Sequence, residues 1–404
     1  NSIAREKQYF IEFVVLVNRT ANILNLFVIY INFAVNLYKI SLLTILAVSV
    51  LLLSTVYQCI TWLLRFSGAG LGRTTGSDHL NAFPVSIIIC AHRACKQLEE
   101  NLPFVLRQSY PEWELIVVND GGDIATDDLL KNYQSAYPNL RSVSMDKKRP
   151  GKKDAITAGV ASARYSWLLL TDADCRPATT QWIWTMMATR SKTTQLVIGY
   201  SPIEKKIGLR NELIRFEGLF TAIQYFSAAR SGHVYMGVGR NLLYHKSLFS
   251  LTNLVPEHPS GDDDLFIQRV ATPGVTEVCA EPAAWVWTDA ASSWKTFFTQ
   301  KMRHYSASRH YSLKSQIRLT LYFVSLGVYN AGIAISLATG LTIPAITLFI
   351  LRTACMIPVF RTEANGGGQP DLQWKFIYLE PIYLVFICIQ LPFLLFYKNH
   401  RFWN

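Results

Sequence analysis

The sequence predicts an α/β protein, a mostly parallel sheet covered by helices on both faces, flanked at both ends by helices suited to a membrane. Three observations predict it. Short apolar, β-branched runs alternate with helix-like segments through the middle of the chain. Apolar runs of about 20 residues stand on either side of that middle. Half of the 404 residues are hydrophobic and 17% are charged, which is apolar for a soluble protein and polar for a bundle built only of membrane helices.

Residues 1–39 come first. Asn18, Asn22, Asn25, Asn32 and Asn36 recur at helical spacing and form one polar stripe. That stripe predicts an amphipathic or interfacial helix, facing headgroups, another helix or a partner protein. Residues 40–66 are expected to span the membrane. Ile40 to Leu64 carry no charge, and Trp62 and Arg65 mark the boundary. No cleavable leader is expected, because this run is too long and lacks a small-residue cleavage site. Residues 67–82, rich in Gly, Ser and Thr, are expected to be a linker.

Residues 83–311 are expected to form the α/β domain. Strands are predicted at Phe83–Cys90, Trp113–Asn119, Leu140–Met145 and Tyr165–Thr171, with a later apolar run at Gln195–Tyr200. Helices are predicted at Glu99–Gln108, Asp127–Tyr137, Lys152–Ala163 and Asn211–Ala229, before an irregular Gly-rich stretch at 232–239. Residues 312–404 are expected to form a second membrane region of two or three spans. Leu319–Leu337 and Ile343–Phe360 are the first two, the latter holding Arg352. The third run, Phe376–Phe396, is interrupted by Glu380 and Pro381, which marks a functional site or a bent, re-entrant segment. Lys398, His400 and Arg401 favour a cytoplasmic tail, whereas three full spans would place it on the other side.

The formal net charge is +11. Anionic headgroups or an anionic substrate such as a nucleotide diphosphate account for it. Nucleic acid is not expected as a partner, because the basic residues form no basic-aromatic stripe. The seven cysteines show no C-x-x-C pair and no zinc spacing, so a reducing compartment is expected for the middle domain.

Five features carry the chemistry. Asp172 and Asp174 follow the strand ending in Thr171, and carboxylates two apart at a strand end can share Mg²⁺ or Mn²⁺. Asp120, with Gly121 and Gly122, follows another strand and suits either a ribose contact or an ordinary turn. Lys152, at the start of a helix, suits a phosphate or a solvated basic turn. Asp262, Asp263 and Asp264 are three adjacent carboxylates, which mark a cation site, a general base or a solvated loop. Gln300 and Arg303 precede the second membrane region, where Arg303 can clamp a diphosphate or flank the next span.

In this order the five features resemble the family-2 inverting glycosyltransferases with the GT-A fold, the group that includes cellulose, chitin and hyaluronan synthases and non-processive bacterial relatives. The resemblance covers about Phe83 to His304. It implies a nucleotide-sugar donor, UDP-linked by expectation, held by Ala91, His92, Asp120, Lys152, Asp172, Gln300 and Arg303. It places the metal, Mg²⁺ or Mn²⁺, on Asp172 and Asp174, and the catalytic base at Asp263 or, one register away, Asp262. Gly237 to Leu242 resembles the family's G-x-G-x-N-L stretch, which puts Gly239 and Asn241 near the acceptor. His304 stands where the family's Q-x-x-R-W motif has its tryptophan, beside the acceptor, which argues against polymer synthesis. The acceptor is expected to be a lipid or a glycan. The protein is expected in a bacterial inner membrane with its catalytic domain in the cytoplasm. Two other readings stay open: a processive polysaccharide synthase, whose channel would need a membrane-protein partner or a homo-oligomer, and a non-catalytic scaffold with the same fold.

Overall fold

The protein is described by a computed structural model over residues 42–73, 82–250 and 263–395. The expected helix in residues 1–39, the candidate base Asp262 and the basic tail lie outside the described residues.

The chain enters through α1 (Leu42–Ile60), which widens into a π-helical turn at Thr61–Arg65. The α/β unit follows: β1 (Val85–Ala91), α2 (Cys95–Leu106), β2 (Trp113–Asp120), α3 (Ile124–Ala136), β3 (Leu140–Met145), α4 (Lys153–Ser162) and β4 (Trp167–Asp172). Then come β5 (Cys175–Pro177), α5 (Trp182–Ala188), β6 (Leu196–Gly199), α6 (Leu209–Arg230), β7 (Leu242–His245) and α7 (Lys246–Ser250). The unit closes with α8 (Asp264–Val270), β8 (Thr276–Cys279), β9 (Val286–Thr288) and α9 (Trp294–Ser308). Three long helices end the described chain: α10 (Leu313–Ala338), α11 (Thr342–Gly366) and α12 (Phe376–Leu395).

Seven strands form one sheet in the order β3-β2-β1-β4-β7-β6-β8. The pairs β1–β2, β1–β4, β2–β3 and β6–β8 are parallel. β7 runs antiparallel to both its neighbours, a reversal that the sequence did not announce. The four residues Leu242–His245 are too short to show a period, and Leu242 and Leu243 are buried on opposite faces of the sheet between β4 and β6. A separate two-stranded ribbon, β5 with β9, was also not expected. β1, β2 and β4 are apolar on both faces because helices cover both sides.

α6 links this unit to the long helices. It is buried almost all round. Phe216 and Phe220 pack against Trp62 and Phe360 of the neighbouring helices, with ring centroids 5.7–5.8 Å apart for Phe216–Phe360 and Trp62–Phe220. Arg215 of α6 is buried and forks onto Asp371, at 2.6 and 2.9 Å, in the loop between α11 and α12. The Arg215 guanidinium holds the Asp371 carboxyl down at about 2.

The segment expected to be a linker is in part packed structure. Ala69 and Leu71 are buried, and the backbone N–H groups of Gly70 and Leu71 donate to the buried Glu363 carboxylate at 3.0 and 2.8 Å. Gly72 lies so close to Gly366 that a Cβ there would stand 2.1 Å from the Gly366 carbonyl oxygen. Only glycine permits that approach. Residues 74–81 of the expected linker lie outside the described residues.

Among the described residues, four helices are long and apolar enough to cross a membrane: Thr44–Gly68, Leu313–Ala338, Thr342–Gly366 and Phe376–Leu394. The third run, for which a full span and a bent or re-entrant segment were both open, is one continuous helix, Phe376–Leu395. Its charge is accounted for by Arg352, the other polar residue flagged in an apolar run. The Arg352 guanidinium donates to both Glu380 oxygens at 2.7 and 2.8 Å and to Gln58 Oε1 at 3.0 Å, and stacks on Tyr329. Gln58 donates in turn to Ser325 Oγ and the Tyr322 carbonyl. One buried polar knot therefore joins α1, α10, α11 and α12.

Removing one partner of such a pair strands the other charge. Arg352→Met is expected to destabilise the chain by about 3–5 kcal/mol, and Arg352→Met with Glu380→Leu to recover most of that loss. Thermal unfolding in detergent micelles checks both. An equal loss in the double variant would show that the knot matters through shape alone.

Candidate active site

The site begins with the register of three strands. β1 lies between β2 and β4, with Ala91 opposite Asn119 and Cys90 opposite Asp172. The carboxyl ends of these strands therefore place His92, Asp120 and Asp172 side by side, where open α/β sheets bind ligands. Asp120 is almost fully buried, and the Lys147 ammonium donates to its carboxylate and, at 2.6 Å, to the Gly151 carbonyl. His92 Nδ1 bonds the Asp120 carbonyl, and its ring packs over Gly121, whose φ of 112° and lack of a side chain permit the contact. Asn119 ties the turn together through the Asp123 carbonyl and Asp127 Oδ1, each at 2.8 Å.

Lys152 donates to Asp172 Oδ1 at 2.6 Å. Burial opposes charge on Asp172, but Lys152, with Arg240 and Arg303, outweighs it and holds the carboxyl below its ordinary range. Asp174 is exposed, and Cys175 donates a thiol bond to its Oδ1 at 3.4 Å. Donor atoms of Asp172, Asp174 and Cys175 lie within 4.8 Å of one another. Burial, then Asp174 and Asp172, push the Cys175 thiol well up, so it stays protonated. The two carboxylates are the hard oxygen donors that Mg²⁺ or Mn²⁺ takes, with substrate phosphates supplying the rest. The residues present fit such an ion.

The acidic cluster meets the Gly-rich stretch. Asp263 Oδ2 accepts the Gly239 N–H at 2.8 Å, and its Oδ1 accepts the Asp264 N–H at 2.9 Å, capping α8. Both oxygens of the expected base are thus engaged by backbone. Asp264 is buried and accepts the Tyr311 hydroxyl at 2.5 Å. Burial, and then Asp263, raise its pKa well above the carboxylate range.

Asn241, expected beside the acceptor, is fully buried. Its amide donates to the Tyr200 and Ala284 carbonyls at 2.7 and 2.9 Å, and its oxygen accepts Trp182 Nε1 at 3.0 Å. It is a strut, and neither it nor Gly239 lines the cleft; their neighbours Val238 and Arg240 do. α9 supplies the opposite wall with Gln300, Lys301, Arg303 and His304. Lys301 crosses to Glu217 of α6 at 2.5 Å and fixes that wall. Enclosure, then Lys301, Arg303, Arg240 and Lys152, push the His304 imidazole well below its ordinary value, so the ring is neutral.

Ala91, His92, Asp120, Lys152, Asp172, Asp174, Gln300, Arg303 and His304 thus share one cleft of about 1570 Å³. That exceeds the roughly 300–1,000 Å³ of a single small-molecule pocket and leaves room for two substrates. Two residues were missed by sequence reasoning. Lys147 is one of several lysines in a basic run, and only the fold shows which one meets Asp120. Arg240 stands inside the stretch already singled out, and donates to Ser201 Oγ at 2.6 Å while acting on Asp172.

The described geometry defines a GT-A domain: an α/β sheet with paired carboxylates at a central strand end, beneath helices able to cross a membrane. Residues 86–250 match the Glycosyl transferase family 2 description, and the chain carries a family-2 glycosyltransferase domain. It is 26% identical over 98 residues to a poly-beta-1,6-N-acetyl-D-glucosamine synthase of Staphylococcus epidermidis, covering 24% of this chain and 23% of that one. It is 35% identical over 102 residues to a dolichyl-phosphate beta-glucosyltransferase of Trichomonas vaginalis, covering 24% and 30%. The aligned parts thus span less than a third of either relative. Among solved structures it resembles the mannosyltransferase PcManGT from Pyrobaculum calidifontis in complex with GDP-Man and Mn²⁺, with a TM-score of 0.53, 15% identity, and coverage of 84% of this chain and 99% of that one.

Because Asp264 is protonated in the folded chain at pH values where an unfolded carboxyl is already ionised, the unfolded state loses its proton first. Its contribution makes stability fall as pH rises from about 4 toward its raised folded pKa. Asp264→Asn is expected to remove that part of the slope. Denaturation midpoints across pH check it, and an unchanged slope would contradict the buried neutral carboxyl.

Proposed function

We propose that the chain is a membrane-bound glycosyltransferase that moves a sugar from a nucleotide donor, UDP-linked, to a hydroxyl of a lipid or glycan acceptor, with inversion. One observation carries the reading: Asp172 and Asp174 face Lys152, Arg240 and Arg303 in a single cleft at the carboxyl edge of the sheet. Nucleotide sugars are cytoplasmic, so the domain would face the cytoplasm, from a bacterial inner membrane. The described helices support a membrane location.

Asp120 and His92 would line the nucleoside end. Lys152 and Arg303 would stabilise the diphosphate as it leaves. Asp172 and Asp174 would hold Mg²⁺ or Mn²⁺, which when bound neutralises the diphosphate charge. The acceptor oxygen would attack the anomeric carbon as the bond to the diphosphate breaks, and its proton would pass to a carboxylate. Both Asp263 oxygens accept backbone N–H groups, which favours Asp262 as the carboxylate that would take that proton, with Asp263 clamping the Gly239 loop. Neutral His304 can hydrogen-bond an acceptor but offers less stacking surface than a tryptophan, which favours single transfer over polymer synthesis.

Asp262→Asn is expected to lower transfer about 10²–10⁴-fold while leaving donor binding intact. Asp263→Asn is expected to act mainly through stability. Transfer assays in purified membranes, with binding measured alongside, separate the two. The reverse pattern would return the base role to Asp263.

A further inference from the structure

Away from the cleft, the membrane-facing end of the domain gathers cations that the proposed reaction does not use. Gln58 of α1 pairs with Tyr322 and Ser325 of α10, so the two helices run side by side at that level. Arg65 lies seven residues beyond Gln58, and Arg318 seven residues before Ser325. The helices are antiparallel, so both residues are displaced about 10 Å the same way and reach one level at the domain side. Lys314 follows one turn further along α10. Beside them, Arg230 ends α6 and Arg73 follows the Gly70 turn. Arg230 Nη1 and Arg73 Cδ would each stand 3.1 Å from a Cβ on Gly70.

His233, just after α6, lies among them. Burial, then Arg318, Lys314 and Arg65, hold its pKa below the ordinary value. Arg65, Arg73, Arg230 and Lys314 are exposed, and Arg318 is half-buried. None of the five forms an ion pair with a described carboxylate. Two carboxylates lie near. Glu363 is buried and engaged by the Gly70 and Leu71 N–H groups, and Glu277 is half-buried on β8. Like charges gathered this closely repel, and a mobile anion would relieve that cost.

We propose that Arg65, Arg318, Lys314 and His233, backed by Arg73 and Arg230, hold the phosphate of an anionic membrane lipid where α1 and α10 leave the bilayer. A lipid is the occupant that the position selects. The cluster stands at the ends of two helices long and apolar enough to cross a membrane, where anionic headgroups are concentrated. The proposal rests on the membrane reading of those helices and not on the transfer reaction.

The test uses the full chain in micelles of phosphatidylcholine with and without phosphatidylglycerol. Phosphatidylglycerol is expected to raise the unfolding temperature of the wild type by a few degrees, and glycerol phosphate at the same concentration to leave it unchanged. Arg65→Gln with Arg318→Gln is expected to melt no lower than wild type in phosphatidylcholine alone, because repulsion is relieved, and to lose most of the phosphatidylglycerol shift. Lys131→Gln, on the distant α3 surface, is expected to keep the full shift. Should the double variant fail to fold, exposed Lys314→Gln is measured by native mass spectrometry, where retained phosphatidylglycerol should drop several-fold. An undiminished shift in the double variant, undiminished retention in Lys314→Gln, or an equal shift from glycerol phosphate would overturn the proposal. A wild type that floats with phosphatidylcholine vesicles but shows no phosphatidylglycerol shift would overturn it too. A wild type that fails to float would instead overturn the membrane reading beneath it.

Discussion

Charge balance at the carboxyl edge of the sheet is the constraint on which the site depends. Asp120 and Asp172 end strands whose central residues, Leu115–Val118 and Leu168–Leu170, are buried and apolar on both faces. Anions in such a place need partners, and Lys147 and Lys152, from one short basic segment, supply them. The segment between β3 and α4 is therefore as much a part of the site as the carboxylates. Its position follows from β3 at the sheet edge and α4 packing back onto β1 and β2, which returns the chain over the strand ends.

The same logic explains how the cleft gets its second wall. α9 is held against α6 by the Lys301–Glu217 pair, and α6 is held to the long helices by the Arg215 fork on Asp371 and a cluster of aromatic rings. The α/β unit is thus seated on the long helices through one buried helix. Displacing α6 would move Gln300, Arg303 and His304 relative to Asp172, so packing near the membrane and geometry in the cleft are coupled.

Much of this was legible in the sequence, for identifiable reasons. Strands β1, β2 and β4 are largely buried on both faces and read as apolar runs, and the half-buried edge strand Leu140–Met145 was placed residue for residue. Asp172 and Asp174 were legible because a D-x-D pair directly follows such a run. β7 was not, because its direction is decided by neighbours distant in the chain. Asn241 was placed at the acceptor by its motif, while the fold shows its amide bracing Tyr200, Ala284 and Trp182. Arg352 and Glu380 each looked anomalous in an apolar run, and only their juxtaposition across two helices accounts for both. Lys147 and Arg240 share that feature: their roles are pairings, and a pairing is a property of the fold.

The account turns on whether the carboxyl edge of the sheet binds a nucleotide diphosphate through a divalent cation. The most direct measurement is calorimetric titration of the full chain in detergent with UDP and GDP, with and without Mn²⁺, for the wild type and for Asp172→Asn with Asp174→Asn. The account predicts Mn²⁺-dependent binding of a nucleoside diphosphate by the wild type and its loss in the double variant. Equal binding by the double variant, or no nucleotide binding by the wild type with Mn²⁺ present, would contradict it.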